Sequence, residues 1–516
     1  MRVSLRQVAE GSLLAEFPGA SEDSANRAAV AAARRLSGRA DLLDAIPGAR
    51  TLFLVCSAGL DGAVLWKDLE AVDPATSAPG RTVRVPVRYG GRDALDLPDL
   101  ARNAGISPGE FVRRHAAAAY RVAFLGFAPG FAYCVGLPDE LAAPRLATPR
   151  TRVPDGAVAI GGSYTGIYPD TTPGGWRLIG RTGQPLFDPT SDPSTLFLPG
   201  DSVIFEPTEN EPPPSGDSPS PRLRWTGSGE ITAESAHWGS PIFRVHNPGL
   251  YTSLQGAPRH GRGALGVPAG GAMDPAALSA GNALVSNAAG SAALELTLAG
   301  PELEVLADGR AAIAGASLAA ELNGLAVAPG RPFNLRRGDR LRTIRATSGV
   351  RAYLCVAGGL AIPPAEWQTR PLAKDDVVCL AAAPAPPLAG RSSGLSSADG
   401  IVRVVLGPQE DHFAERGIAA FLSQTWRVSA SSDRRGVRLE GEPVPHSGSA
   451  EIAPEGTALG AIQVPPDGRP IVLGPDRPVT GGYAKIATVL MPDWPLVAQA
   501  GPGATLRFRA VGTFRE

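Results

Sequence analysis

Lysine is rare in this chain of 516 residues: only Lys67, Lys374 and Lys485 appear among 49 basic side chains. A position that keeps lysine keeps a compact ammonium whose pKa falls on burial, whereas arginine stays charged and needs a wider planar fork. Lys485 closes the run from Thr480, in which Gly481, Gly482 and Tyr483 would let a ligand approach the backbone beside the amine. Such a group suits a phosphate, a carboxylate or a transferred carboxyl group; the plainer alternative is a lysine snorkelling from a strand edge. Asp433, Arg434, Glu440, Asp476 and Arg477 also place charge among apolar, β-forming segments.

Two further stretches could do chemistry. Between Tyr120 and Asp188, Gly126, Gly130, Gly161, Gly162, Gly174 and Gly175 interrupt short β-branched and aromatic runs. They serve as hairpin turns, or as exposed backbone N–H groups that receive an anion or a planar amide. Upstream, Ser107-Pro108-Gly109-Glu110 reads as a capping box with proline at the first helical position. The helix it starts sets Phe111 and His115 one turn apart, aiming the histidine at the strands that follow, as a core residue or as a catalyst. In the second half, Asp274-Pro275 starts a helix over Ala276–Val285, with its positive end beside Gly270-Gly271. That end is an anion site or a well-capped structural terminus.

The elements that must position these residues are mostly strands. Residues 1–88 read as a small α/β domain, with strands near Arg2–Gln7, Leu13–Phe17, Thr51–Ser57 and Thr82–Arg88, and a helix whose apolar face is Ala25, Ala29, Ala32 and Leu36. Asp96 and Pro98 open a short helix that Gly105 closes, and residues 89–205 form a small β-barrel. The ending Leu198-Pro-Gly-Asp-Ser-Val is echoed by LRRGDRLRTI at 335–344 and AGPGATLRF at 500–508, which suggests three related β modules. Residues 206–240 and 381–400, rich in proline, serine and small residues, read as linkers that leave β modules at 241–380 and 401–516. Strands are expected at Pro241–Val245, Leu294–Leu298, Ala311–Ala314 and Arg351–Val356.

Composition narrows the function classes. A net charge of −1 argues against nucleic acid or an anionic membrane as main partner, and points to a small molecule or a protein. Cys56, Cys134, Cys355 and Cys379 are scattered, with no paired spacing, no secretory segment precedes Arg2 and Arg6, and no apolar run would span a bilayer, so a cytoplasmic location is expected. No G-x-x-x-x-G-K-[ST] loop is present.

Taken together, several of these segments resemble a known family. His115, Phe124–Tyr133, Pro144–Pro154, Gly161–Gly166 and the run from Pro173 to Thr182 resemble the B-type subunit of the bacterial ATP-dependent 5-oxoprolinase. Gln255, Arg259, Gly266–Pro268, Gly271–Asp274, Glu295, Gly407–Gln409, Ser432–Arg434, Gly460–Pro465 and Thr480–Lys485 resemble its C-type subunit. The chain therefore looks like a fusion of the two, a pair also known as the kinase-inhibitor/allophanate-hydrolase-subunit family and similar to the carboxyltransferase region of urea carboxylase. The resemblance implies a mainly β protein, with tandem cyclophilin-like β-barrels behind the small α/β N-terminal domain. Two departures stand out. Gln255-Gly256-Ala257-Pro258-Arg259 lacks the acid of the family's Q-D-x-G-R, and PPAEWQTRPL at Pro363–Leu372 replaces a longer Ser-Arg-Ser-Thr loop.

The implied chemistry is the opening of a five-membered lactam to glutamate, for which ATP phosphorylates the amide oxygen and so makes it a leaving group. Such a site needs cations and backbone donors for phosphate, an acid for Mg²⁺ and a guanidinium for the substrate carboxylate. The resemblance puts His115, Lys485, Asp433 and Glu295 forward as catalytic. It puts Gly130, Arg150, Gly162, Gly175, Arg177, Arg181, Arg259, Asp274, Arg434, Gln463, Gly481, Gly482 and Tyr483 forward as binding substrate or nucleotide. Metal ligands stay unassigned among Asp274, Glu295, Asp433 and Asp476. ATP with Mg²⁺ and a separate A-type subunit are the implied cofactors and partner, and a homo-oligomer is compatible with the pattern. A biotin-dependent carboxyltransferase module and an inhibitor of a sensor histidine kinase are the other functions that the resemblance allows.

Overall fold

A computed structural model describes residues 3–57, 62–72, 79–210, 239–363, 370–381 and 400–513. Most of both expected linkers, at 211–238 and 382–399, and residues 364–369 of the variant loop lie outside these described residues.

The N-terminal domain is an antiparallel sheet in the order Ser4–Ala9, Ser12–Glu16, Thr51–Cys56, Leu42–Pro47. Its central strand reads TLFLVC, nearly all apolar, because both faces are covered. Leu52 and Leu54 pack under the helix Glu22–Leu36, and Phe53 faces the other way, in one cluster with Ala458, Ala461 and Val479 from the far end of the chain. Ala25, Ala29, Ala32 and Leu36 are all buried, as their spacing predicts, and Ser21 caps the helix by accepting from the Ser24 N–H.

The strand Thr82–Tyr89 does not belong to this domain, which corrects the boundary at residue 88. It pairs in parallel with Ser202–Pro207, and these first and last strands close a seven-stranded barrel. A second closed seven-stranded barrel spans Ile401–Leu406 to Thr505–Thr513, again with its first and last strands parallel. Between the barrels lies an open nine-stranded sheet whose longest members, Gly309–Leu322 and Arg340–Val356, form one antiparallel hairpin. Two closed barrels, one in each half, match the expected tandem architecture; the central β module is the unit that does not close. The three echoed endings are real turns, with Gly200, Gly338 and Gly503 at φ 93°, 90° and 82° ahead of the strands they launch.

Helices Leu97–Asn103 and Pro108–Ala117 lie against the first barrel. Ser107 caps the second by accepting from the Glu110 N–H, while the Glu110 carboxylate turns to Arg113 and Arg114, so half of the expected capping box forms. Asp96 likewise precedes its helix without capping it; its carboxylate accepts from Arg150 and from the Leu178 N–H. Among the described residues no helix is long and apolar enough to cross a membrane.

Candidate functional site

The outer wall of the second barrel carries an unusual group of polar residues. Along Lys485–Val489, Ile486 points into the barrel core, so Lys485, on the opposite side, points outward. There the N-terminal sheet covers it, and Lys485 is 2% exposed. It does not snorkel. Its Nζ lies 2.7 Å from Glu455 Oε1, and Gln409 Nε2 donates to the same oxygen at 2.8 Å. The Gln409 backbone N–H donates to the Lys485 carbonyl, and Gln409 Oε1 accepts from the Lys485 N–H, so the glutamine is clamped between lysine backbone and glutamate side chain.

Gln463 is the cross-strand partner of Lys485, which puts both side chains on one face of the wall. Its Nε2 lies against Gly481, where a β-carbon would stand 2.5 Å away and would displace it. Next to Gly481, the Thr480 hydroxyl rests over Gly126 of the first barrel, where a β-carbon would stand only 1.6 Å from it. Among the described residues, Gln463 Nε2 and Thr480 Oγ1 are buried without a hydrogen-bond partner, and Lys485 Nζ has only the Glu455 ion pair. Three buried, under-satisfied polar groups on neighbouring residues are costly unless something accepts from them.

This cluster sits where three units meet. Gly126–Gly130 of the first barrel packs on it, with the Gly130 N–H donating to the Leu265 carbonyl at 3.1 Å. Ala128 donates to the Gly126 carbonyl, which makes Phe127 the centre of a γ-turn with φ 64° and leaves the residue 37% exposed. Left-handed backbone at an aromatic residue is strained, and strain of this kind gathers at functional sites. Behind it Phe131, Tyr133, Tyr164, Tyr168 and Trp176 stack edge to face. Burial pushes the Tyr133 hydroxyl up to about 12, with Arg145 opposing and Tyr168 and Tyr483 adding to the shift.

A second constellation joins the central sheet to the second barrel. Glu295, fully buried, accepts from Arg434 at 2.7 Å, from the Tyr353 hydroxyl at 2.7 Å and from the Met273 N–H at 2.8 Å, with Arg351 at 3.5 Å. Arg434 also holds Asp476 and the Gly271 carbonyl. Burial alone would raise the Glu295 carboxyl, yet the two guanidiniums and the two hydrogen bonds hold it below the ordinary carboxylate value. For Arg434, burial would lower the pKa, and Glu295 and Asp476 outweigh it and raise it. Asp274 caps the helix Pro275–Leu284 through Ala277 and accepts from Gln499. Its own carboxylate therefore occupies the helix end that could have received an anion. Arg259 is half-buried nearby, beside Gly270 and Asp476.

Most of the remaining predicted residues lie apart. His115, 0% exposed, is inside the first barrel unit with Nδ1 2.8 Å from the Tyr89 hydroxyl and Nε2 3.0 Å from Thr165 Oγ1. The Thr165 hydroxyl donates to the Ala159 carbonyl, so it accepts from Nε2–H, and Nδ1 accepts from Tyr89. Asp433 is exposed and closes a turn by accepting from the Arg435 and Gly436 N–H groups. His115, Asp433, Glu295 and Lys485 thus do not form one catalytic group. Arg150 and Arg177 both reach Asp96, and Arg181 reaches Asp155. Gly162 turns a hairpin at φ 67°, Gly175 accepts from the Leu146 N–H, and Gly482 and Tyr483 continue the strand beside Lys485. Sequence reasoning missed Glu455 as a site residue. It passed over Gln409 and Thr480, although both stand in the runs Gly407–Gln409 and Thr480–Lys485 that it singled out.

The carboxyltransferase domain, subdomain C and D, matches residues 3–197, and the carboxyltransferase domain, subdomain A and B, matches residues 265–510. Over 183 residues the chain is 43% identical to the B-type subunit of 5-oxoprolinase from Escherichia coli O157:H7, covering 34% of this chain and 82% of that protein. Over 280 residues it is 32% identical to the C-type subunit of 5-oxoprolinase from Escherichia coli K12, covering 52% of this chain and 90% of that protein. The crystal structure of TTHA0988 superposes with a TM-score of 0.82 at 35% identity, covering 96% of this chain and 99% of that one.

Proposed function

This chain belongs to the carboxyltransferase-domain family as a fusion of the halves found in the B-type and C-type subunits of 5-oxoprolinase, and on that premise we propose that it is one component of an ATP-dependent 5-oxoprolinase. In this reading it works with a separate A-type subunit to hydrolyse 5-oxo-L-proline to L-glutamate. The observation that carries it is the group of under-satisfied polar atoms at Lys485, Gln463 and Thr480. A lactam carbonyl or a carboxylate presents the acceptor oxygens that these groups lack, and donors fixed in advance stabilise the charge that builds on such an oxygen as the ring opens. Glu455 holds the Lys485 ammonium in place and is the nearby carboxylate able to take a proton.

ATP and Mg²⁺ enter as co-substrates of the assembled system. Arg150, Arg177, Arg181 and Arg434 each already hold a carboxylate of this chain, so that set does not fit a triphosphate. Among the described residues no group of three or more His, Cys, Asp or Glu side chains gathers as a metal site. Phosphate handling then falls to surfaces completed by the partner. Carboxyl transfer is the second reading, favoured by the subdomain matches, and it would use the same donors on a carboxyl group.

The test mixes the purified chain with its cognate A-type subunit and measures phosphate release. Release that requires 5-oxoproline and both proteins is expected. Transfer of a carboxyl group from carboxybiotin, with no 5-oxoproline-dependent phosphate, would favour the second reading.

A further inference from the structure

We propose that the small N-terminal domain is a working part of the Lys485 site, with Arg6 as a positioning residue and with Val8 and Leu14 as the wall that shuts the ammonium off from bulk water. This rests on the reading of Lys485 as a ligand-facing group, and its test has a readout that does not depend on turnover.

Three contacts converge from the N-terminal sheet. Arg6 Nη1 donates to the Pro408 carbonyl at 3.1 Å. The next residue is Gln409, which fixes the Lys485 backbone through two hydrogen bonds and the Glu455 carboxylate through a third. Arg6 thus reaches the ion pair through one peptide unit and one side chain. Thr488, further along the strand that Lys485 opens, donates its hydroxyl to the Val8 carbonyl at 3.0 Å, which pins the first strand against the barrel wall. Phe53 packs on Gly456, where a β-carbon would stand 2.1 Å from the Phe53 side chain, so the strand carrying Glu455 is held just as closely.

Between these contacts lies a cavity of about 10 Å³, lined by Val8, Leu14, Pro408, Glu455 and Lys485 among others, which has room for about one water. The polar groups in its lining come from the second barrel, and the apolar wall facing them comes from the N-terminal sheet. An ammonium–carboxylate pair enclosed this way interacts more strongly than one in water. The B-type half therefore completes a site whose ammonium–carboxylate pair comes from the C-type half. Fusion in one chain keeps the two parts in register.

The experiment labels the native full-length protein with an amine-acylating reagent and follows Lys485 by peptide mass spectrometry, with exposed Lys67 as internal standard. In the wild type Lys485 should react at least about tenfold more slowly than Lys67. Arg6→Ala and Leu14→Ala should each raise Lys485 labelling several-fold while Lys67 labelling stays put, with Tm kept in Arg6→Ala and lowered in Leu14→Ala by the lost burial, and Arg6→Lys should restore protection. In the assembled system, Arg6→Ala should lower kcat with KM nearly unchanged. If Arg6→Ala does not fold, Leu14→Ala alone decides the matter. Labelling of Lys485 within twofold of wild type in the folded variants overturns the proposal. Raised labelling in a protein that shows no 5-oxoproline turnover at all would instead sink the functional reading and leave this one standing.

Discussion

Acidification should expose His115 as a structural residue with a calculable cost. Burial lowers its imidazole from 6.5 to about 3, and both ring nitrogens already have partners that suit the neutral form. Because the folded pKa lies below the unfolded one, the unfolded chain takes up the extra proton, and stability falls as pH drops from about 6.5 towards 3. At about pH 5 the linkage relation gives a loss of about 2 kcal/mol relative to neutral pH, a sizeable part of a domain's stability. Urea unfolding of wild type and His115→Gln, followed by fluorescence at neutral pH and at about pH 5, measures the difference. The wild type should lose about 2 kcal/mol more than the variant across this interval. Parallel pH dependences would refute the reasoning, as would a His115 NMR titration near neutrality. A histidine poised as a general base near pH 7 would give that second result.

Three further outcomes follow from the geometry. Lys485→Arg should cut ligand-dependent activity at least about tenfold, on the order of 1.4 kcal/mol, while Lys67→Arg leaves it unchanged; equal small effects in a turnover assay would contradict this. Glu295→Gln strips the charge that faces Arg434 and should destabilise the junction of central sheet and second barrel by about 3–5 kcal/mol in thermal unfolding, with replacement of Glu295 and Arg434 together by apolar residues costing less. Proteolytic cleavage within residues 211–238 should leave the halves associated on gel filtration at micromolar concentration, because Arg6, Val8 and Phe53 pack directly on the second barrel.

Local signals in the sequence carried far where the physics is local. The alanine spacing of Glu22–Leu36 and the serine cap at Ser107 each depend on a few neighbouring residues, and each stands as read; the echoed endings at Gly200, Gly338 and Gly503 do turn alike, but the three units they end are two closed barrels and an open sheet. The boundary at residue 88 fails because the partner that makes Thr82–Tyr89 a barrel strand is Ser202–Pro207, in parallel and far along the chain. Lysine rarity singled out Lys485, but nothing in EIAPEG distinguishes Glu455 as its counter-ion, since the pairing exists only once the two-stranded ribbon that carries Glu455 meets the barrel strand that carries Lys485. Glu295, Arg434 and Asp476 could each be named, and their union as one buried network could not, because it spans the central sheet and the second barrel. TLFLVC was legible only as a strand, because the last barrel that covers the second face of the N-terminal sheet comes from the far end of the chain.

The most direct measurement is glutamate formed from 5-oxoproline per ATP consumed, by wild type and by Lys485→Met, each mixed with the cognate A-type subunit. The wild type should yield glutamate and phosphate in equal amounts. The variant, folded and still bound to its partner, should yield at least about tenfold less. Full glutamate formation by Lys485→Met would contradict the site, and no glutamate from the wild type with a verified partner would contradict the function.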